Sequence, residues 1–242
     1  MQGRDQFPIV EKAKGTTLYL KDGTALIDAV SSWWCVIHGY NHPEINQAIT
    51  DQLQSLSHVM MGGITNQPAE DLADKLIEIT PEGLNHVFFS DSGSVGVEVA
   101  LKMAIQYHHN KGNNRKHILS LNKSYHGDTF KAMEVGDDPC YHGSFIHLFD
   151  NRSYIKPPYN WPSKNVAISI AQLEKTITDN KDEIAAFIVE PILQGAGGFR
   201  IYDPAFLDQA YKICKANDIL MIFDEVATGF GRLGKLFAAE YC

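Results

Sequence analysis

The stretch IFDEVATGFGR, Ile222 to Arg232, ends an apolar run on two carboxylates and follows them with glycines. An apolar strand that delivers an acid to its own C-terminal end is the mark of a buried parallel strand with a ligand beyond it. The residues just before, ILMIFDE, complete that strand. Working back along the chain, Asp203 and Pro204 mark a helix start, with Leu207, Ala210, Tyr211 and Cys214 as its inner stripe. AAFIVEP reads as a further buried strand, stopped by Pro191.

The same alternation extends towards the N-terminus. VAISIAQLEKTI has helical spacing, HILSLN reads as a strand and FIHLF is a short apolar run. Helical spacing also recurs at Val97, Ala100, Leu101, Ala104 and Ile105, preceded by HVFFS as a strand. PAEDLADKLIEI carries one helical stripe. Continuous apolar strands alternating with amphipathic helices predict an α/β fold, a parallel-rich sheet with helices on both faces. The first sixty-odd residues differ, because TTLYLKDGTALIDAV is a hairpin signal around Asp22 and Gly23.

Bulk properties bound the function. A net charge of −8 argues against a nucleic-acid surface. The N-terminus lacks the apolar core of a signal peptide, and no apolar run reaches the ~18 residues that span a bilayer. Four scattered cysteines form no disulfide framework or metal-ligand spacing, so a soluble, cytoplasmic protein without a metal is expected. His108 and His109 are adjacent, diverge on a helix and read as surface residues.

Four features fall at strand ends. In SDSGSVGVEVA a strand at 87–90 feeds a small-residue turn and a helix. The unpaired N–H groups there suit an anion such as phosphate, with close approach at Gly93 and a hydroxyl from Ser94; simple capping by Ser92 or Ser94 is the alternative. In SYHGDTF, Tyr125 offers its ring to a flat ligand or is a half-buried structural tyrosine. Glu190 ends FIVEP and needs a partner, as a structural ion pair or in a functional role. Asp224 suits the ring nitrogen of pyridoxal 5′-phosphate, kept protonated so that the ring draws electrons; a magnesium ligand or a cap are the alternatives. A phosphate cup, a stacking aromatic and a pyridinium carboxylate together fit one phosphorylated pyridine. G-x-x-x-x-G-K-[ST] does not occur, and the G-x-G-x-x-G opening of a Rossmann dehydrogenase is lacking.

The stretches SSWWCVIHGYNHP, SHVMMGGITN, SDSGSVGVEVALKMAIQY, YHGDTF, IVEPILQGAGG and DEVATGFGRLGKLFAAE resemble class III pyridoxal phosphate aminotransferases. The resemblance implies the fold type I of pyridoxal phosphate transferases. It assigns 1–65 to part of the small domain and the substrate wall, and 66–242 to the large cofactor-binding domain. By position, Gly93 and Ser94 would hold the cofactor phosphate, Tyr125 and Val226 would flank its ring and Asp224 would bind its nitrogen. Tyr125, Trp33, Trp34, Asp128 and Arg232 would line or recognise substrate. Glu190 matches a glutamate that in several relatives pairs with an arginine from later in the chain. The paired tryptophans and HVMMGGITN narrow the resemblance to the biotin-pathway subgroup. That subgroup implies 8-amino-7-oxononanoate as acceptor, S-adenosylmethionine as donor and a homodimer.

In that family the Schiff-base lysine follows the DE-A-TG motif by a few tens of residues, after a further strand. No lysine of these 242 residues matches it, and Lys235 falls outside the position. The resemblance therefore implies an N-terminal half, with no catalytic residue of its own and no turnover in isolation. Two later strands would normally separate 87–90 from the strand ending in Asp224. Residues 87–90 are thus expected to lack ladder partners, and pairing with 220–223 would refute this. Competing expectations are another class III ω-aminotransferase, acting on a diamine or ω-amino acid, and a non-catalytic remnant.

Overall fold

The computed structural model describes residues 7–150 and 153–242. The first six residues of the N-terminal segment lie outside the described residues. The chain divides into two compact units, 1–74 and 75–242, a boundary inside the helix α3 defined below.

The first unit opens with three antiparallel strands in the order β1 (Val10–Lys14), β2 (Thr17–Leu20) and β3 (Ala25–Ile27). The β2–β3 turn is the expected hairpin: Gly23 takes φ 90° and Asp22 accepts the Thr24 N–H at 2.9 Å. A four-residue turn follows, α1 (Ser31–Trp34), whose residues all have φ between 49° and 69°. This left-handed turn is costly for side-chain-bearing residues. Asp28 braces it by accepting the N–H groups of Val30 (3.0 Å) and Ser32 (2.8 Å) and the Tyr40 hydroxyl (2.6 Å). Trp33 stands 83% exposed on it, beside Trp34. The helices α2 (Pro43–Ser55) and α3 (Gln67–Ile79) complete the unit, in which no described residue is buried.

The core lies in the second unit. Its elements are α4 (Gly93–Asn110), β4 (His117–Leu121), α5 (Phe130–Val135), α6 (Pro139–His142), β5 (Ser153–Ile155), α7 (Val166–Asn180), β6 (Ile184–Val189), β7 (Leu193–Gln194), β8 (Arg200–Ile201), α8 (Pro204–Ala216) and β9 (Leu220–Phe223). The main sheet is wholly parallel, in the order β5-β4-β6-β9. All six residues of β6 are buried because both of its faces are covered. Phe187 and Val189 pack with Leu173 and Ile177 of α7 and with Leu207 and Ala210 of α8. Ala186 and Ile188 pack with Val97 and Leu101 of α4 and Ala132 of α5. This is the expected α/β arrangement, and Asp203 caps α8 through the Ala205 N–H at 3.0 Å.

Two readings need correction, the strand at 87–90 and the surface placement of His108. The strand expected at 87–90 does not form, and Phe88 and Phe89 are 63% and 39% exposed. Its residues make no ladder with β9, the sheet edge, and without a neighbouring row of N–H and C=O groups a strand has nothing to define it. FIHLF lies largely in a 3-10 turn, Gly143–Leu148. His108 is fully buried rather than at the surface, because its Nε2 finds the Ala185 carbonyl of β6 at 3.0 Å; His109 is exposed. No described helix is long and apolar enough to cross a membrane.

Candidate active site at the carboxyl ends of the parallel strands

Beyond β4 the chain turns through Lys123, left-handed at φ 63°. Asp137 holds this turn by accepting the Lys123 N–H (3.1 Å) and the Asn122 amide (3.2 Å). Successive residues then diverge: Tyr125 is half-buried, His126 is buried and Asp128 is exposed. Gly127 has φ +118°, and a Cβ built there collides with the Ser94 hydroxyl. Only glycine lets the loop lie against the first turn of α4. The Asp128 N–H seals that contact by donating to Ser94 Oγ at 3.1 Å.

At the start of α4, Ser92 is the cap and accepts the Val95 N–H at 3.3 Å. The capping alternative therefore holds at Ser92, and Ser94 keeps its O–H to donate. Among the described residues no acceptor takes the N–H of Gly93 or Ser94. Gly93 faces Val226: an added Cβ would sit 2.9 Å from Val226 Cγ2. The opening of an eighteen-residue helix therefore presents two free N–H groups and a hydroxyl in a cradle that a side chain would fill.

Asp224 continues the sheet by donating its N–H to the Val189 carbonyl (2.8 Å). Its carboxylate accepts from Val226 N–H at 3.2 Å and meets His126 Nδ1 at 2.8 Å. The side chains of His126 and Asp224 are 0% and 7% exposed. A carboxylate so far from water needs such hydrogen-bond partners. The His126 Nε2 is buried with no partner among the described residues.

Among the described residues Glu190 has no salt-bridge partner. Its two oxygens accept backbone N–H groups, Tyr125 at 3.0 Å and Gly195 at 2.8 Å, and among the described residues no arginine or lysine bonds to it. It clamps the Tyr125 loop to the turn after β7, whose neighbour Tyr202 donates to the Glu190 carbonyl at 2.8 Å. Burial pushes its carboxyl up to about 7, against the opposing pull of His126 and the two N–H groups. The folded state then binds a proton more readily than the unfolded state. Glu190 is expected to subtract about 3 kcal/mol from stability as pH rises from about 4.5 to 7. Denaturant titrations across that window should show this slope in the wild type and not in Glu190→Gln.

Tyr125 stacks on His142 at 5.6 Å between centroids and 21° between planes. Burial first, and the Asp128 carboxylate second, push its phenol up to about 12, so it remains protonated. The structure thus brings together Gly93, Ser94, Tyr125, Asp128, Asp224 and Val226. Arg232 is exposed in the following turns, and no described contact of its side chain joins this cluster. Trp33 and Trp34 belong to the other unit. Sequence reasoning missed His126 and His142. The available signal for His126 was that a strand-end aspartate facing inward needs a donor. Among the described residues no group of three or more His, Cys, Asp and Glu side chains is placed to hold a metal.

A carboxylate at the end of a parallel strand, a helix start with free donors and an aromatic between them also define the protein's kinship. The aminotransferase class-III family model matches residues 2–242, and the chain belongs to that family. It is 46% identical over 239 residues to the adenosylmethionine-8-amino-7-oxononanoate aminotransferase of Buchnera aphidicola subsp. Baizongia pistaciae, covering 96% of this chain and 55% of that protein. The crystal structure of the enzyme of that name from Methanocaldococcus jannaschii superposes with a TM-score of 0.91 at 36% identity, covering 98% of this chain and 53% of that one. An amine transaminase from an uncultivated Pseudomonas species, solved in its PLP-bound form, gives 0.89 at 32% identity, over 98% of this chain and 56% of that one. The chain spans about half the length of the curated relatives it matches.

Proposed function

We propose that this chain forms the cofactor- and substrate-binding part of a pyridoxal phosphate-dependent aminotransferase of biotin synthesis. The complete enzyme would pass an amino group from S-adenosylmethionine to 8-amino-7-oxononanoate. The observation that carries the reading is the convergence of free donors at Gly93 and Ser94, the Tyr125 ring and the His126-braced Asp224 at the carboxyl ends of one sheet. The similarity to enzymes of that name supplies the substrates.

The residues fit the cofactor by their chemistry. The N–H groups of Gly93 and Ser94 and the Ser94 hydroxyl suit a phosphate. Asp224, held by His126 and the Val226 N–H, suits a protonated ring nitrogen. Tyr125 and Val226 supply the flanking surfaces, and the exposed Asp128 carboxylate attracts a cationic amine. Pyridoxal phosphate, when bound, supplies the electron sink for transamination. Trp33 and Trp34 serve as an apolar wall for the substrate chain and Arg232 as a substrate contact in the same proposal. A cytoplasmic homodimer belongs to it as well.

No lysine of the 242 residues matches the family's cofactor-bearing position, so turnover is assigned to the polypeptide of the complete reading frame. That polypeptide, given pyridoxal phosphate, S-adenosylmethionine and 8-amino-7-oxononanoate, is expected to form 7,8-diaminononanoate. Turnover of a diamine or an ω-amino acid without turnover of the oxononanoate would overturn the substrate assignment.

A further inference from the structure

We propose that His142 is a positioning residue for amine recognition, fixing Tyr125 and Asp128 as one unit; this deepens the function proposed above and rests on it. His142 ends α6, a short helix whose start is held by Asp138, which accepts the N–H groups of Cys140 (2.9 Å) and Tyr141 (3.2 Å). The imidazole is 5% exposed, lies flat against the Tyr125 ring and brings Nε2 to 3.0 Å from Asp128 Oδ1. Tyr141 meets Tyr125 edge-on at 6.1 Å from the side. The His142 Nδ1 is buried without a partner among the described residues.

That asymmetry assigns the tautomer. A proton on Nε2 is donated to Asp128 and leaves Nδ1 a bare acceptor, whereas a proton on Nδ1 would be a buried donor with nothing to bond. Asp128 then accepts a hydrogen bond on a side chain that is 73% exposed. An exposed carboxylate with free rotamers pays ordering entropy each time it takes up a ligand. Held by His142 below and by its own N–H on Ser94, Asp128 pays that cost on folding instead. The ring contact does the same for Tyr125. The two residues assigned to substrate are therefore set by a third that need not touch it.

Two substitutions in the holoenzyme of the complete reading frame separate the two contacts. His142→Phe keeps the ring stack and removes the hydrogen bond, and His142→Gln keeps a donor near Nε2 without the ring. H142F is expected to raise both KM and the calorimetric Kd for the amine substrate about tenfold, with kcat within about twofold. H142Q should recover most of the KM loss. Unchanged KM and Kd in H142F would overturn the proposal. So would equal damage in both variants with kcat falling in step, which is the mark of a merely structural residue. The comparison is made with whichever amine the wild type turns over, so a wrong substrate in the function proposed above shows up in the wild type and not in the variants. A wild type that accepts no amine at all overturns both.

Discussion

Replacing Asp224 by Asn in the complete enzyme is expected to lower kcat/KM about 10^3-fold while leaving the fold intact. The fold should survive because Asn keeps the shape: its Oδ1 still accepts from Val226 N–H, and its amide N–H can donate to His126 Nδ1 once the imidazole proton sits on Nε2. What disappears is the negative charge, on a side chain only 7% exposed. A preorganised charge removed from a water-poor site costs on the order of 10^2 to 10^3 in rate, and loss of a full charge belongs at the upper end. Steady-state kinetics and thermal unfolding on the same preparation check both halves. Near-wild-type kcat/KM in D224N would mean that the carboxylate faces no cationic ring.

The second large effect is on stability. Gly127→Ala is expected to destabilise the protein by about 4 kcal/mol, the sum of a forbidden backbone conformation and overpacking. The backbone part comes from φ +118°, and the packing part from a Cβ that would lie within 2.8 Å of the Ser94 backbone. Gly112 is the internal control. It also has positive φ, +80°, but nothing lies within 4 Å of its added Cβ. Gly112→Ala should therefore cost only about 1 kcal/mol. Urea unfolding of the two variants side by side tests the difference. Similar losses in both would show that the close approach of the Tyr125 loop to α4 is not tight.

These two positions also show what was legible in the sequence. Asp224 could be read directly, because an acid ending an apolar parallel strand is a local pattern. So could Gly93 and Ser94 as a small-residue helix start, and the α8 cap at Asp203. The sheet itself followed from β6, whose unbroken apolar run implies cover on both faces. Contacts made across long stretches of chain were not legible. His126 lies 98 residues from Asp224, and only the parallel pairing of β4, β6 and β9 brings their ends together. Glu190 was recognisable as a charge in need of a partner. That the partners are two backbone N–H groups depends on loops whose paths no periodicity encodes. The strand read at 87–90 failed for a related reason: an apolar run states a preference, but a strand exists only beside another.

In the proposed enzyme the Asp224 cluster and the start of α4 bind the two ends of one phosphorylated pyridine. A crystal structure of the complete polypeptide grown with pyridoxal 5′-phosphate tests it most directly. The ring nitrogen is expected within about 3 Å of the Asp224 carboxylate and the phosphate on the N–H groups of Gly93 and Ser94. A cofactor whose phosphate lies elsewhere, with Asp224 bonded only to His126 and Val226, would contradict it.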